Sequence, residues 1–191
     1  AAGDYVVFLD SDDALGKQHV ENLVAAISNT PNPDSAIAVT GFTPCPANSP
    51  LEVSSHRVRS YGLDASEAIC KSTTPGAEFA AHAWGKLYPR SLFHLLQYPV
   101  GRYYEDQFVT YKVFLEAEHI VYEDANDYLY TIDRTDSISM SSRIKELDYL
   151  DAIRETLRCV EIECPTAVPT VRKRYLESLI SGVETACLYG S

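Results

Sequence analysis

The chain has 191 residues, 46% of them hydrophobic and 23% charged, with 9 Gly and 10 Pro, a balance that fits one globular core and excludes disordered, collagen-like and coiled-coil readings. Asp and Glu number 27 against 16 Lys and Arg, and the net charge of -11 argues against sequence-independent binding to nucleic acid. No apolar run approaches the roughly 20 residues that cross a bilayer, and Ala1-Ala-Gly-Asp4 is no signal peptide. A cytoplasmic protein is expected, free or peripheral at the inner face of the membrane. Cys45, Cys70, Cys159, Cys164 and Cys187 contain no CxxC pair, so neither a disulfide framework nor a zinc finger is expected.

In chain order, Tyr5 to Leu9 reads as a strand buried on both faces, ending in Asp10-Ser-Asp-Asp13. Val20, Leu23, Val24 and Ile27 follow helical spacing, and Asn29 to Asp34 is a turn. Ala36 to Phe42 is the next strand. The prolines between Thr43 and Pro50 predict irregular chain, and Leu51 to Tyr61 an edge strand or hairpin arm. Asp64 and Glu67 have the spacing of a helix-capping box. Trp84 to Tyr88 is a short mixed run, Ser91 to Leu96 a helical turn or two, and Glu105-Asp106 opens a helix through Leu115. His119 to Tyr122 and Tyr128 to Ile132 read as two short strands. Helical periodicity then dominates from Ile144 to Cys159 and from Thr166 to Leu188, with Pro165 between.

Four groups of residues could carry chemistry. Asp10, Asp12 and Asp13 at a strand end can converge on Mn2+ or Mg2+, hard cations that take oxygen ligands and leave positions for phosphate; a solvated turn is the plainer reading. An EF-hand loop fails, because Leu15 stands where its Gly is required. A haloacid dehalogenase-like phosphatase with Asp10 as nucleophile is a near miss, lacking the usual Gly-Thr-Leu continuation. Glu105 and Asp106 are either a helix cap or a general base at a pocket rim. Arg134 with Ser137 could bind phosphate oxygens, or lie in a surface turn. Trp84 with Lys86 could meet a sugar or phosphate, or belong to the core. Of the histidines, His82 alone is set apart, by its place just before Trp84.

The order of the phrases Ala2-Gly-Asp-Tyr-Val-Val-Phe-Leu-Asp-Ser-Asp-Asp13, Trp84-Gly-Lys-Leu-Tyr-Pro-Arg-Ser-Leu-Phe93, Tyr104-Glu-Asp-Gln-Phe108 and Tyr128-Leu-Tyr-Thr-Ile-Asp-Arg-Thr-Asp-Ser-Ile-Ser139 resembles the second half of a family 2 glycosyltransferase. The resemblance implies an α/β fold: a truncated GT-A-type mixed sheet with flanking helices and a helical C-terminal extension. It divides the chain into residues 1–142, the metal and acceptor side of the transferase domain, and the extension, 143–191. It further implies that the N-terminal nucleotide-binding half is missing, so that the piece is inactive by itself. By the same resemblance Asp12, Asp10 and Asp13 bind Mn2+ or Mg2+, Asp106 is the base with Glu105 beside it, Arg134 and Ser137 meet the donor diphosphate, and Trp84 and Lys86 face the acceptor. The partners implied are a UDP-sugar donor, a saccharide or lipid-linked acceptor, and a second copy in a homodimer; the reaction is inverting. A noncatalytic binding domain is the reading from a different class.

Overall fold

The computed structural model describes residues 2–46, 58–132 and 143–189. A mixed sheet is built from β1 (Tyr5–Val7), β2 (Ala14–Leu15), β3 (Ala36–Pro46), β4 (Ser60–Leu63), β5 (Lys86–Pro89) and β6 (His119–Ile132), in the order β1-β5-β3-β6-β2, with β4 also paired to β6. Among the described residues β3 and β6 are the one parallel pair. Its helices are α1 (His19–Ser28), α2 (Ala65–Thr73), α3 (Thr110–Glu116), α4 (Arg143–Glu163) and α5 (Val168–Tyr189). Among the described residues no helix is long and apolar enough to cross a membrane.

The period-two alternation of a strand divides the core into two layers. On β3, Ala36 and Ala38 meet Leu23, Ala26 and Ile27 of α1. Ile37 and Val39 point the other way, into a larger cluster with Ile69 of α2, Phe114 of α3, Ile153 of α4 and Val171 of α5. Small side chains lie toward the single helix, larger ones toward the layer of several. The same cluster runs through both sides of residue 142, so α4 and α5 share their core with the sheet.

Several expectations need correction. β1 lies at a sheet edge with β5 as neighbour, and Tyr5, Val6 and Val7 are half-buried, because an edge strand is covered on one side only. On α1 the buried face is His19, Leu23, Ala26 and Ile27, while Val20 and Val24 are 48% and 40% exposed. β3 continues through Pro44 to Pro46, since beyond Val39 it pairs with β6 alone and a missing N–H on its open side is tolerated. Of the segment expected at residues 51–61, β4 is the described part; 47–57 lie outside the described residues. The two strands expected after His119 are one, kinked in the middle. Asp64 and Glu67 do form a reciprocal cap on α2, at 2.8 and 2.9 Å.

The kink in β6 is a built feature. Register with β3 shifts between Thr40, opposite Glu123, and Phe42, opposite Tyr128, so β6 bulges over the intervening residues, with Asn126 left-handed at φ 50°. The bulge is pinned to α1: His19 Nδ1 lies 2.5 Å from Asp127 Oδ1, both side chains buried, and Asn22 donates to Asp127 Oδ2 at 2.9 Å. Opposite it Gly41 leaves room for the Asn126 side chain, whose Oδ1 sits 1.9 Å from where a β-carbon would stand.

Candidate active site

The acidic strand end is held by the second half of β6. Asp13 N–H closes a turn onto the Asp10 carbonyl at 3.1 Å. The Asp13 carboxylate then accepts from the Tyr128 hydroxyl at 2.7 Å and from Thr131 N–H at 2.8 Å, while Thr131 Oγ1 donates to the Asp12 carbonyl at 2.5 Å. Asp10 N–H donates to the Tyr128 oxygen at 3.3 Å. Asp13 is therefore the anchor of the loop, with Asp10 and Asp12 exposed beside it. Although Asp10 is on the surface, partial desolvation by the surrounding protein raises its pKa, and the carboxylates of Asp13, Asp12 and Glu105 raise it further.

Glu105 belongs to a different part of the chain. Tyr104, left-handed at φ 55°, turns the backbone into a 3-10 segment, Glu105–Phe108, ahead of α3. The approach is fixed by α4: Asp148 accepts from Tyr103 N–H at 2.9 Å and pairs with Arg102 at 3.2 Å. Glu105 is exposed and Asp106 half-buried. Burial pushes the Asp106 carboxyl up to about 6, with Glu105 and Asp10 adding to the shift, while Gln107 N–H and Lys86 oppose it. The structure thus brings Asp106 and Glu105 to the same side as Asp10.

Between these groups runs the loop from Ala80 to Trp84, whose five successive carbonyls all receive side-chain donors. Lys86 Nζ donates to Ala80 at 2.9 Å, His82 at 2.5 Å and Trp84 at 3.4 Å; Thr110 Oγ1 reaches Ala81 at 2.6 Å, and the Tyr88 hydroxyl reaches Ala83 at 2.8 Å. Here the Trp-Gly-Lys-Leu-Tyr phrase acquires a physical meaning. Gly85 takes φ 68°, Lys86 and Tyr88 project to one face of β5 to satisfy buried backbone, and Leu87 projects to the α1 layer. Lys86 is 1% exposed and lies beneath the loop. Burial lowers its pKa to about 7, with Asp106 pulling upward. Trp84 is 7% exposed and stacks between His82, at 4.3 Å, and Tyr128, at 4.2 Å, so its ring is also largely covered.

A cleft of about 290 Å³ lies beside this loop. Asp106, His82, Tyr104, Tyr149 and Arg174 line it, with the turn after α2 as its rim. Tyr149 and Arg174 come from α4 and α5, and nothing in their local sequence sets them apart from other helix-face residues. Tyr128 and Thr131 were equally hidden, although Tyr128 is wholly buried and ties the acidic loop to the Trp84 stack. Arg134 and Ser137 lie outside the described residues.

Among the described residues no three His, Cys, Asp or Glu side chains converge to hold a metal by themselves. Asp10 and Asp12 offer exposed carboxylate oxygens, the donor type that a hard cation such as Mn2+ or Mg2+ takes, and would need further oxygens to complete a coordination shell.

No family model matches the chain. It is similar to the glycosyltransferase GlyA of Streptococcus pneumoniae serotype 4, at 28% identity over 137 residues, covering 69% of this chain and 19% of that protein. The solved structure of S. aureus TarS 1-349 in complex with UDP-GlcNAc superposes on the whole chain with a TM-score of 0.67 and 17% identity. The fold is of the GT-A type. The chain spans 53% of the TarS chain, so it corresponds to about half of that glycosyltransferase structure.

Proposed function

We propose that the protein is an inverting glycosyltransferase that moves a sugar from a nucleoside diphosphate donor, of the UDP-sugar kind, to a hydroxyl of a saccharide acceptor, free or lipid-linked. The observation that supports this reading is the half-buried Asp106 carboxyl lining a cleft, near enough to Asp10 of the acidic strand end for their charges to interact. A carboxyl held near 6 is mostly ionised at neutral pH yet more basic than an ordinary aspartate, which suits it to take the proton of an attacking hydroxyl. His82 and Tyr104, beside Asp106 in the cleft, would orient that acceptor. Asp10 and Asp12 would hold the divalent cation, with Asp13 and Tyr128 fixing their loop. The cation, when bound, supplies charge neutralisation to the departing diphosphate. Arg134 and Ser137 are proposed for the same diphosphate on the resemblance alone. Attack from the base side, opposite the leaving group, inverts the anomeric centre. The complex of TarS with UDP-GlcNAc supports a nucleotide-sugar donor.

The test is transfer from UDP-sugars in the presence of Mn2+ by a protein containing this chain. Asp106→Asn should lower kcat by about 10²- to 10⁴-fold with donor binding nearly unchanged, and wild-type activity should rise with pH as Asp106 loses its proton near 6. Glu105→Gln should be milder. Asp12→Ala should weaken donor binding in calorimetry. Full turnover by Asp106→Asn would remove the base, and unchanged donor affinity in Asp12→Ala would remove the metal role.

A further inference from the structure

The cleft that holds Asp106 is closed on one side by α4 and α5, and these helices bring one cation to it. Arg174 Nε donates to the Tyr149 hydroxyl at 2.8 Å, and the guanidinium lies over the Tyr149 ring, 5.4 Å from its centroid. Tyr149 is in turn braced edge-on by Tyr104 at 5.1 Å. Glu177 approaches Nη1 only to 4.0 Å, and Nη2 has no acceptor among the described residues. Arg174 lines the same cleft as Asp106, with its partners Tyr149 and Glu177 on the helices. In a chain of net charge -11, a guanidinium oriented by an aromatic ring and lining a cleft, whose carboxylate partner Glu177 stands at the outer limit of an ion pair, has donors left to offer a ligand. A planar fork of donors held in this way matches an oxyanion with two oxygens to offer.

We propose that Arg174, held by Tyr149, is an acceptor-specificity residue that binds an anionic group, phosphate or carboxylate, carried by the acceptor sugar. The inference rests on the reading of this cleft as the acceptor site. The acceptor hydroxyl then lies at Asp106 and its anionic substituent at the α5 wall, a separation that keeps the substituent away from the carboxylates. Neutral saccharides would fill the same cleft without the charged contact.

Trp84, the sole tryptophan, stacks on His82, which lines the cleft, so its fluorescence reports occupancy. The probes are glucose, glucose 6-phosphate and glucuronate, titrated into the 191-residue chain. Wild type should bind the better of the two anions about tenfold more tightly than glucose, a preference of one charge-assisted contact. Which anion wins identifies the group. In Arg174→Gln the ratio of anion to glucose affinity should fall to about one, and Arg174→Lys should retain part of the preference. Tyr149→Phe, which keeps the charge but releases Nε, should lower the ratio of anion to glucose affinity, and it gives the answer if Arg174→Gln does not fold. Equal affinities for glucose and both anions in wild type, or a preference that survives in Arg174→Gln, would overturn the inference and leave the cleft as an acceptor site for neutral sugars. Binding of none of the three would overturn the acceptor reading of the cleft together with this one.

Discussion

Asp106 illustrates how a catalytic requirement opposes stability at the level of one side chain. Its folded-state pKa, near 6, lies above the ordinary 3.8, so the folded protein holds this proton more tightly than the unfolded chain does. Between those two values stability must fall as pH rises, and above about 6 the whole cost of a desolvated carboxylate is present. Asp106→Asn removes the charge and keeps an oxygen for Gln107 N–H, which donates to the carboxylate at 2.7 Å. The variant should therefore be more stable than wild type near neutral pH, by on the order of 2–3 kcal/mol, and should lose that advantage below pH 3.8. Chemical denaturation of both proteins across this range tests it; a pH-independent difference would mean that burial does not tune the group. Lys86 is the contrasting case. The sequence marks it as a cation next to an aromatic, but the residues that explain it are the carbonyls of Ala80, His82 and Trp84, which come together with it only in the fold.

At the scale of the element, the bulge of β6 decides where the acidic loop sits. Without it, Tyr128 and Thr131 would shift in register against β3 and could not meet Asp13. The bulge depends on the space over Gly41. A β-carbon there would stand 1.9 Å from Asn126 Oδ1 and 2.9 Å from the Glu78 carbonyl, and moving the Asn126 side chain relieves only the first contact. Gly41→Ala should destabilise the protein by about 1–3 kcal/mol and loosen the loop of Asp10 and Asp12. Thermal melting with Mn2+ titration checks both parts, and a wild-type melting temperature would show that the bulge adapts freely. Two strands were legible at His119 and Tyr128 from their apolar runs. Their union into one strand was not, because four of the five residues from Glu123 to Asp127 are polar, and the partners of Asp127, His19 and Asn22, lie on α1.

For the whole molecule, the decisive feature is the core shared across residue 142. Ile153 of α4 is 2% exposed and packs in the cluster that contains Ile37, Val39 and Phe114. Ile153→Ala should therefore destabilise the entire chain, by about 2–5 kcal/mol, in one transition. Trp84 fluorescence reports the sheet and far-ultraviolet circular dichroism reports mainly the helices, and the two should shift together. A helical transition that moves while the Trp84 transition stays would make α4 and α5 an independent unit. The cleft depends on this unity, since Asp148, Tyr149 and Arg174 shape the acceptor side from the helices while Asp106 and His82 come from the body.

The sequence by itself determined those features that depend on near neighbours in the chain: the run ending in Asp10-Ser-Asp-Asp13, the capping box of α2, the two long helices broken at Pro165, and, through the order of four phrases, the resemblance to a GT-A glycosyltransferase. Hydrophobic periodicity, capping and turn chemistry act over a few residues, so they can be read in one dimension. Tertiary structure alone decided which acidic residue anchors and which faces outward, why Lys86 is buried, and that Arg174 reaches the cleft of Asp106. Burial and pairing depend on side chains that lie far apart in sequence, and desolvation, which shifts Asp106 the most, exists only once those side chains have closed around it.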